Sequence, residues 1–183
     1  MGNVYVFLAD GFEEIESITP IDFLRRAGIH VVTVGITGST VKGAHNIFVS
    51  ADVDGAGFVL PADAEMVVLP GGGIGTQNLQ ASRVVKHALQ QAAERNIYIA
   101  AICAAPTVLH TYGLLTNKQV TAFPTVQAQL TSSIVTGKPV EIDGKIITAR
   151  SAGVALQFAY ALSSLLAGQN KTDEVYKNLY PEI

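Results

Sequence analysis

The sequence predicts an α/β fold with a mostly parallel sheet, helices on both of its faces and an added β-hairpin at one edge. Two observations predict it. Strand-like and helix-like stretches alternate along the chain, the pattern of a parallel sheet built from crossover units. The strand-like stretches are also nearly unbroken apolar runs, as strands covered on both faces must be.

The elements follow in order. Val4–Ala9 is the first apolar run of strand length. Ile15–Ala27 has Ile15, Ile18, Phe23 and Leu24 at helical spacing and ends before Gly28, with Pro20 expected to end or kink it. His30–Ile36 is a second strand, and Met66–Leu69 a short one that stops at Pro70-Gly71-Gly72-Gly73. Ser82–Glu94 is a helix with Val84, Val85, Ala88, Leu89 and Ala92 on one side. Ile97–Ile102 is a further buried strand, and Ala104–Tyr112 a helix with Pro106 in its first turn. Val140–Ile147 has a hairpin signature with Asp143-Gly144 at the turn. Ala152–Leu166 is a long apolar-rich helix, and Thr172–Leu179 a short terminal one.

Composition narrows the function classes. The 183 residues suit one domain, and 49% hydrophobic with 15% charged residues describes an ordered globular chain. A formal net charge of -3 and the absence of Trp offer no footprint for nucleic acid or an anionic membrane. No apolar stretch approaches a membrane span, and the N-terminal run lacks the basic flank and length of a signal peptide. The single Cys suits a reducing compartment, so cytoplasmic localisation is expected.

In parallel sheets the working site lies beyond the carboxyl ends of the strands. Asp10–Glu16, Pro70–Gly75 and Cys103–Pro106 are expected to converge there. Cys103 sits where a buried strand turns into a helix, the geometry of a nucleophile elbow, with Ala100, Ala101, Ala104 and Ala105 leaving room for the turn. A helix N-terminus there would favour thiolate. The alternative is a small buried hydrophobe. Glu13, Glu14 and Glu16 open the first helix, where acidic residues complement its dipole. One of them projecting into the rim could serve Cys103 as acid or base, and spacing does not choose between Glu13 and Glu16.

Gly71-Gly72-Gly73-Ile74-Gly75 fails the dinucleotide pattern, because Thr76 or Asn78 stands where the last Gly belongs. Gly137-Lys138-Pro139 is not a P-loop. The glycines suit either close backbone approach to an oxyanion or a tight turn. His30, His45, His87 and His110 show no metal-ligand spacing. His110 lies about 10 Å along the helix from Cys103, too far for a direct pair.

Leu8–Glu16, Val68-Leu69-Pro70-Gly71-Gly72, Ala100–Pro106 and Thr121-Ala122-Phe123-Pro124-Thr125 together resemble the ThiJ/PfpI superfamily in order and spacing. The likeness is to its deglycase-containing branch and that branch's bacterial relatives, and covers nearly the whole chain. It implies one ThiJ/PfpI-type, class I glutamine amidotransferase-like domain over residues 1–183, a flavodoxin-like sandwich, usually dimeric, with neither organic cofactor nor metal. By the resemblance Cys103 is the reactive, oxidation-prone cysteine and Glu16 the acid that hydrogen-bonds it. Gly72 and Ala104 supply backbone N–H groups to the same pocket, and Gly71, Arg26, His45 and Phe123 are further expected lining. Phe123 agrees with the bacterial members, where other members carry His. Ala104 stands where the peptidase-like branch has His, so peptidase activity is not expected.

The implied activity is cysteine-dependent detoxification of reactive dicarbonyls or their early protein adducts. It would be of the glutathione-independent glyoxalase or deglycase type, a hydro-lyase-like conversion of methylglyoxal to lactate. The alternative is an oxidative-stress sensor or redox-regulated chaperone working through oxidation of Cys103.

Overall fold

The computed structural model describes residues 2–179; Met1 and residues 180–183 of the expected domain lie outside the described residues. The first half contains β1 (Asn3–Leu8), α1 (Glu14–Arg26), β2 (Val31–Gly35), β3 (Thr40–Lys42), β4 (Phe48–Ser50), β5 (Val53–Asp54), β6 (Ala64–Leu69), α2 (Gly73–Ala81) and α3 (Arg83–Glu94). The second half contains β7 (Tyr98–Ile102), α4 (Pro106–Thr111), β8 (Gln119–Val120), β9 (Ile134–Val135), β10 (Val140–Asp143), β11 (Ile146–Ala149), α5 (Ala155–Ala167) and α6 (Gln169–Leu179).

Seven strands form the central sheet in the order β10-β11-β7-β6-β1-β2-β5, and only the β10–β11 pair is antiparallel. From β1 the chain first moves to β2, then returns to β6 on the opposite side. That reversal opens a crevice past the carboxyl ends of β1 and β6, where doubly wound sheets place their sites.

Alternation along each strand feeds two cores. Tyr5, Phe7, Val67, Leu69, Ile99 and Ala101 face one side and pack with Leu79, Val85, Leu89 and Val108 from α2, α3 and α4. Val4, Val6, Leu8, Met66, Val68, Ala100 and Ile102 face the other, with Phe23 and Leu24 of α1, Phe158 and Leu162 of α5 and Val175 of α6. This flavodoxin-like arrangement has every strand of the centre buried on both faces, as the apolar runs require.

Several local expectations are corrected. α1 runs through Pro20 without ending. Pro20 supplies no N–H to the Glu16 carbonyl, a loss of about 3 kcal/mol in a helix interior. Burial of Pro20, Ile21, Phe23 and Leu24 against the sheet outweighs it. α2 was not expected, because it begins inside the glycine run. α4 begins at Pro106, not directly after Cys103. In the edge hairpin Asp143 pairs with Ile146, so Gly144 (φ 63°) and Lys145 make the turn. A 3-10 turn, Ala152–Val154, precedes α5.

The opposite edge is short. β5 pairs with β2 only at Val34 and Gly35. Further back along β2, Asp52 Oδ2 accepts from Thr33 N at 2.9 Å and Thr33 Oγ1 at 2.8 Å. Arg25 donates to Val31 O at 3.0 Å and to Asp52 Oδ2 at 2.8 Å. Side chains here take the place of a neighbouring strand.

Candidate active site

Cys103 follows the last residue of β7 with φ 64°, a left-handed conformation that costs a non-glycine residue about 1–2 kcal/mol. Two remote segments hold it there. Its N–H donates to Ala149 O at the end of β11 at 2.9 Å, and its carbonyl accepts from Phe123 N at 2.8 Å. The side chain is partly buried, among residues packed on the α1–α5 face.

Glu13, Glu14 and Glu16, alike in sequence, diverge in structure. Glu13 is the N-cap of α1, its Oε2 accepting from Glu16 N at 2.8 Å. Glu14 turns to the β3–β4 arm, where its carboxylate accepts from His45 N and binds His45 Nδ1, each at 2.7 Å. Glu16 alone enters the rim. It is 1% exposed, accepts from Gly71 N at 3.0 Å, and shares a hydrogen bond with Cys103. The choice that spacing left open is thus made by the helix cap, which occupies Glu13.

The glycine run shapes the other wall. At Gly71 a Cβ would lie 2.4 Å from Glu16 Oε2 and 2.7 Å from Cys103 Cβ, so any side chain would fill the gap between acid and thiol. Gly72 has φ 96°, and a Cβ there would meet Gly11 O at 2.2 Å. The Gly11 turn and the glycine run are also stitched together by Glu13 N to Gly71 O at 3.1 Å and Gly75 N to Gly11 O at 3.1 Å. Of the two uses foreseen for these glycines, the tight turn is the one seen. The N–H groups of Gly72 and Ala104 favour the ionised form of the Cys103 thiol.

Electrostatics reverse one expectation. Burial raises the Glu16 carboxyl to about 7, with the charge of Glu13 adding to it and the bonds from Cys103, Gly71 and Ala152 opposing. Burial also pushes the Cys103 thiol up to about 12, and the Glu16 charge and hydrogen bond reinforce the rise. The N–H groups of Ala104 and Gly72 pull the other way but do not prevail. A thiol lowered by a helix terminus is therefore not what this site holds. α4 starts three residues beyond Cys103 and is only six residues long. Between the two titrations the pair carries one proton.

The remaining expected residues separate. Phe123 reaches the site through its backbone and keeps its ring partly exposed. Arg26 does not line the pocket of this chain. It pairs with Asp22 at 2.6 Å, ten residues and about 15 Å of helix rise from Glu16. His45 is spent on Glu14, and with Glu13 these residues bring potential metal ligands within 4.8 Å, a group that linear spacing did not reveal. Glu13 and Glu14 already hold the protein bonds just described, so the group acts as a clasp between α1 and the arm. The turn after β11 was missed: Ala149 O at the end of β11 accepts from Cys103 N, so the residues that follow emerge beside the thiol. The available signal was the hairpin's second strand, whose parallel pairing with β7 brings residue 150 onward to the same rim.

Fold and site define a doubly wound α/β protein with a cysteine at a strained turn beside a buried acid. Residues 2–165 match the DJ-1/PfpI family, and the chain belongs to it. Protein dj-1beta of Drosophila melanogaster is 40% identical over 180 residues, covering 97% of this chain and 96% of that one. The Schizosaccharomyces pombe protein named glutathione-independent glyoxalase DJ-1 is 29% identical over 189 residues, covering 98% of each. The crystal structure of Drosophila melanogaster DJ-1beta matches with a TM-score of 0.94 at 38% identity, over 100% of this chain and 99% of that one.

Proposed function

We propose that this protein is a cysteine-dependent, glutathione-independent glyoxalase or deglycase acting on methylglyoxal, glyoxal or their early adducts. The observation that carries the reading is the Glu16 carboxyl, poised at about 7, hydrogen-bonded to the only cysteine. Glu16 in its ionised form takes the thiol proton as sulfur bonds to the aldehyde carbon, and returns it to the carbonyl oxygen, giving a hemithioacetal. It then moves the proton from that carbon to the neighbouring carbonyl carbon, while the hydroxyl proton passes from the first carbon's oxygen to the second's, leaving a thioester that water cleaves to lactate and free thiol. The N–H groups of Gly72 and Ala104 steady negative charge at the sulfur during attack. The fission-yeast relative's glyoxalase name supports the same class.

Steady-state turnover of methylglyoxal by the purified protein tests the reading, beside Cys103→Ser. Turnover absent in the parent, or equal in the variant, removes it. An oxidation-sensing or chaperone role for the same sulfur is favoured by one observation: the donors around Cys103 could hold added oxygens. That role requires mild peroxide to add two oxygens to Cys103 in a protein with no turnover.

The proposal extends to a homodimer in a reducing cytosol. Ile15 and Ile18 on α1 and Ile47 and Phe48 on the arm are exposed, and the Glu14–His45 clasp joins the two elements. A second copy covering them gives a dimer mass in light scattering. No helix among the described residues is long and apolar enough to cross a membrane.

A further inference from the structure

We infer that Gly73 and Gly153 are specificity-determining residues, keeping the approach to Cys103 open on two sides for an α-oxoaldehyde whose substituent is apolar and bulkier than methyl. The inference rests on the reading of Cys103 as the nucleophile. Three observations carry it.

First, these are the two glycines of the chain that neither backbone nor packing demands. Nine of the seventeen have positive φ, where other side chains are strained. At Gly2, Gly35, Gly43, Gly55, Gly71 and Gly75 a Cβ would lie 2.0–2.8 Å from a neighbouring atom. Gly73 and Gly153 meet neither condition. At Gly73 a Cβ would find nothing within 4 Å, and at Gly153 only Ser151 Oγ at 3.8 Å, an ordinary contact. Both residues are exposed. Gly73 is the first residue of α2, and Gly153 lies in the 3-10 turn before α5, where alanine would suit a helical backbone better.

Second, sheet order places the two glycines on opposite sides of the thiol. Cys103 ends β7, and the strands on either side of β7 are β6 and β11. Gly73 lies on the loop leaving β6, two residues after Gly71, whose Cβ would lie 2.7 Å from Cys103 Cβ. Gly153 lies on the turn leaving β11, whose last residue, Ala149, accepts from Cys103 N at 2.9 Å. Third, the neighbouring exposed side chains are apolar. Ile74 follows Gly73 and is exposed, and Phe123, whose N–H donates to Cys103 O, keeps its ring partly exposed. An aryl or branched alkyl substituent would use the space that the missing Cβ atoms leave and cover Ile74 and Phe123. A methyl group needs neither.

Phenylglyoxal and methylglyoxal are the paired probes, with the full chain. In Gly73→Leu and in Gly153→Leu the ratio of kcat/KM for phenylglyoxal to that for methylglyoxal falls about tenfold or more, the scale on which a few carbon atoms decide a pocket's choice. A parent-like ratio in either folded variant overturns the inference. Gly73→Ala and Gly153→Ala must keep or raise the parent's thermal midpoint. A lowered midpoint in either shows that the backbone needs glycine there, and overturns the inference equally. A further measurement needs neither variants nor turnover: alkylation of Cys103 in the unaltered protein. Iodoacetanilide and iodoacetamide must react with it in the ratio of rates they show with N-acetylcysteine. A lower ratio means that the approach excludes the ring, and overturns the inference. Absence of dicarbonyl turnover leaves the alkylation readout standing, so the two readings fail separately.

Discussion

Two turns face each other across the site, and both place a left-handed residue just beyond a buried strand. After β6 that residue is Gly72 (φ 96°), and after β7 it is Cys103 (φ 64°). Glycine takes the conformation without steric cost. Cysteine does not, and is held by hydrogen bonds from Phe123 and to Ala149, whose own segments are anchored elsewhere. The difference shows what each turn is for. Where only backbone is needed the chain uses glycine, and where a sulfur is needed it accepts strain and recruits two other segments to hold it.

The comparison can be broken most directly at the sulfur. Cys103→Ser is expected to lose methylglyoxal turnover to background while circular dichroism stays unchanged. Retained turnover would put the chemistry elsewhere. Glu16 spans the two turns, and Glu16→Gln should lower kcat/KM by about 10²–10⁴-fold without unfolding. Glu13→Gln and Glu14→Gln should spare turnover far more, since one caps a helix and the other anchors the arm. Equal losses at all three positions would reduce Glu16 to general charge.

Gly72→Ala tests the glycine turn through stability. Left-handed strain and the approach to Gly11 O should cost about 2–4 kcal/mol in denaturant unfolding. A comparable effect comes from pH. The folded Glu16 carboxyl at about 7 lies above its ordinary 4.5, so the folded state keeps that proton longer than the unfolded chain does. This contribution is full below pH 4.5 and is lost as pH rises through 7, by about 3 kcal/mol in all. Glu16→Gln should flatten that slope; an unchanged slope would mean that the acid is not buried as described. Over the same range turnover should rise, because the ionised carboxylate is the base. The smallest effect belongs to Cys103→Gly. Relief of strain offsets lost packing and glycine's own entropy, so stability should stay within about 1 kcal/mol of the parent. A large loss would show that Cys103 is held by packing and carries no strain.

The sequence exposes the central strands and the order of the rim segments, because a strand buried on both faces leaves a continuous apolar run. It exposes Cys103 for the same reason, as the residue where such a run stops. It hides what depends on backbone reach between distant segments. Nothing near Ala149 marks it, since its contribution is a backbone carbonyl that every residue possesses. The sequence does show the partner that Arg26 takes, since a basic side chain four positions from Asp22 meets it on its own helix. The thiol was misjudged because the helix beyond it starts late, while the desolvation that dominates is invisible in one dimension. β3, β4 and β5 are two or three residues each, too short to imprint a period.

The edge of the sheet at β2 carries a consequence of another kind. Its open hydrogen-bonding groups are closed by Arg25 and Asp52, charged side chains that no incoming polypeptide can pair with in register. Strand addition at this edge is thereby disfavoured, sterically and by the solvated ion pair that an approaching copy meets. Thr33 and Arg25 hold the Asp52 carboxyl below its ordinary range, so the shield survives acidification that would neutralise an unassisted aspartate. A two-residue strand can then end the sheet without leaving a seed for aggregation.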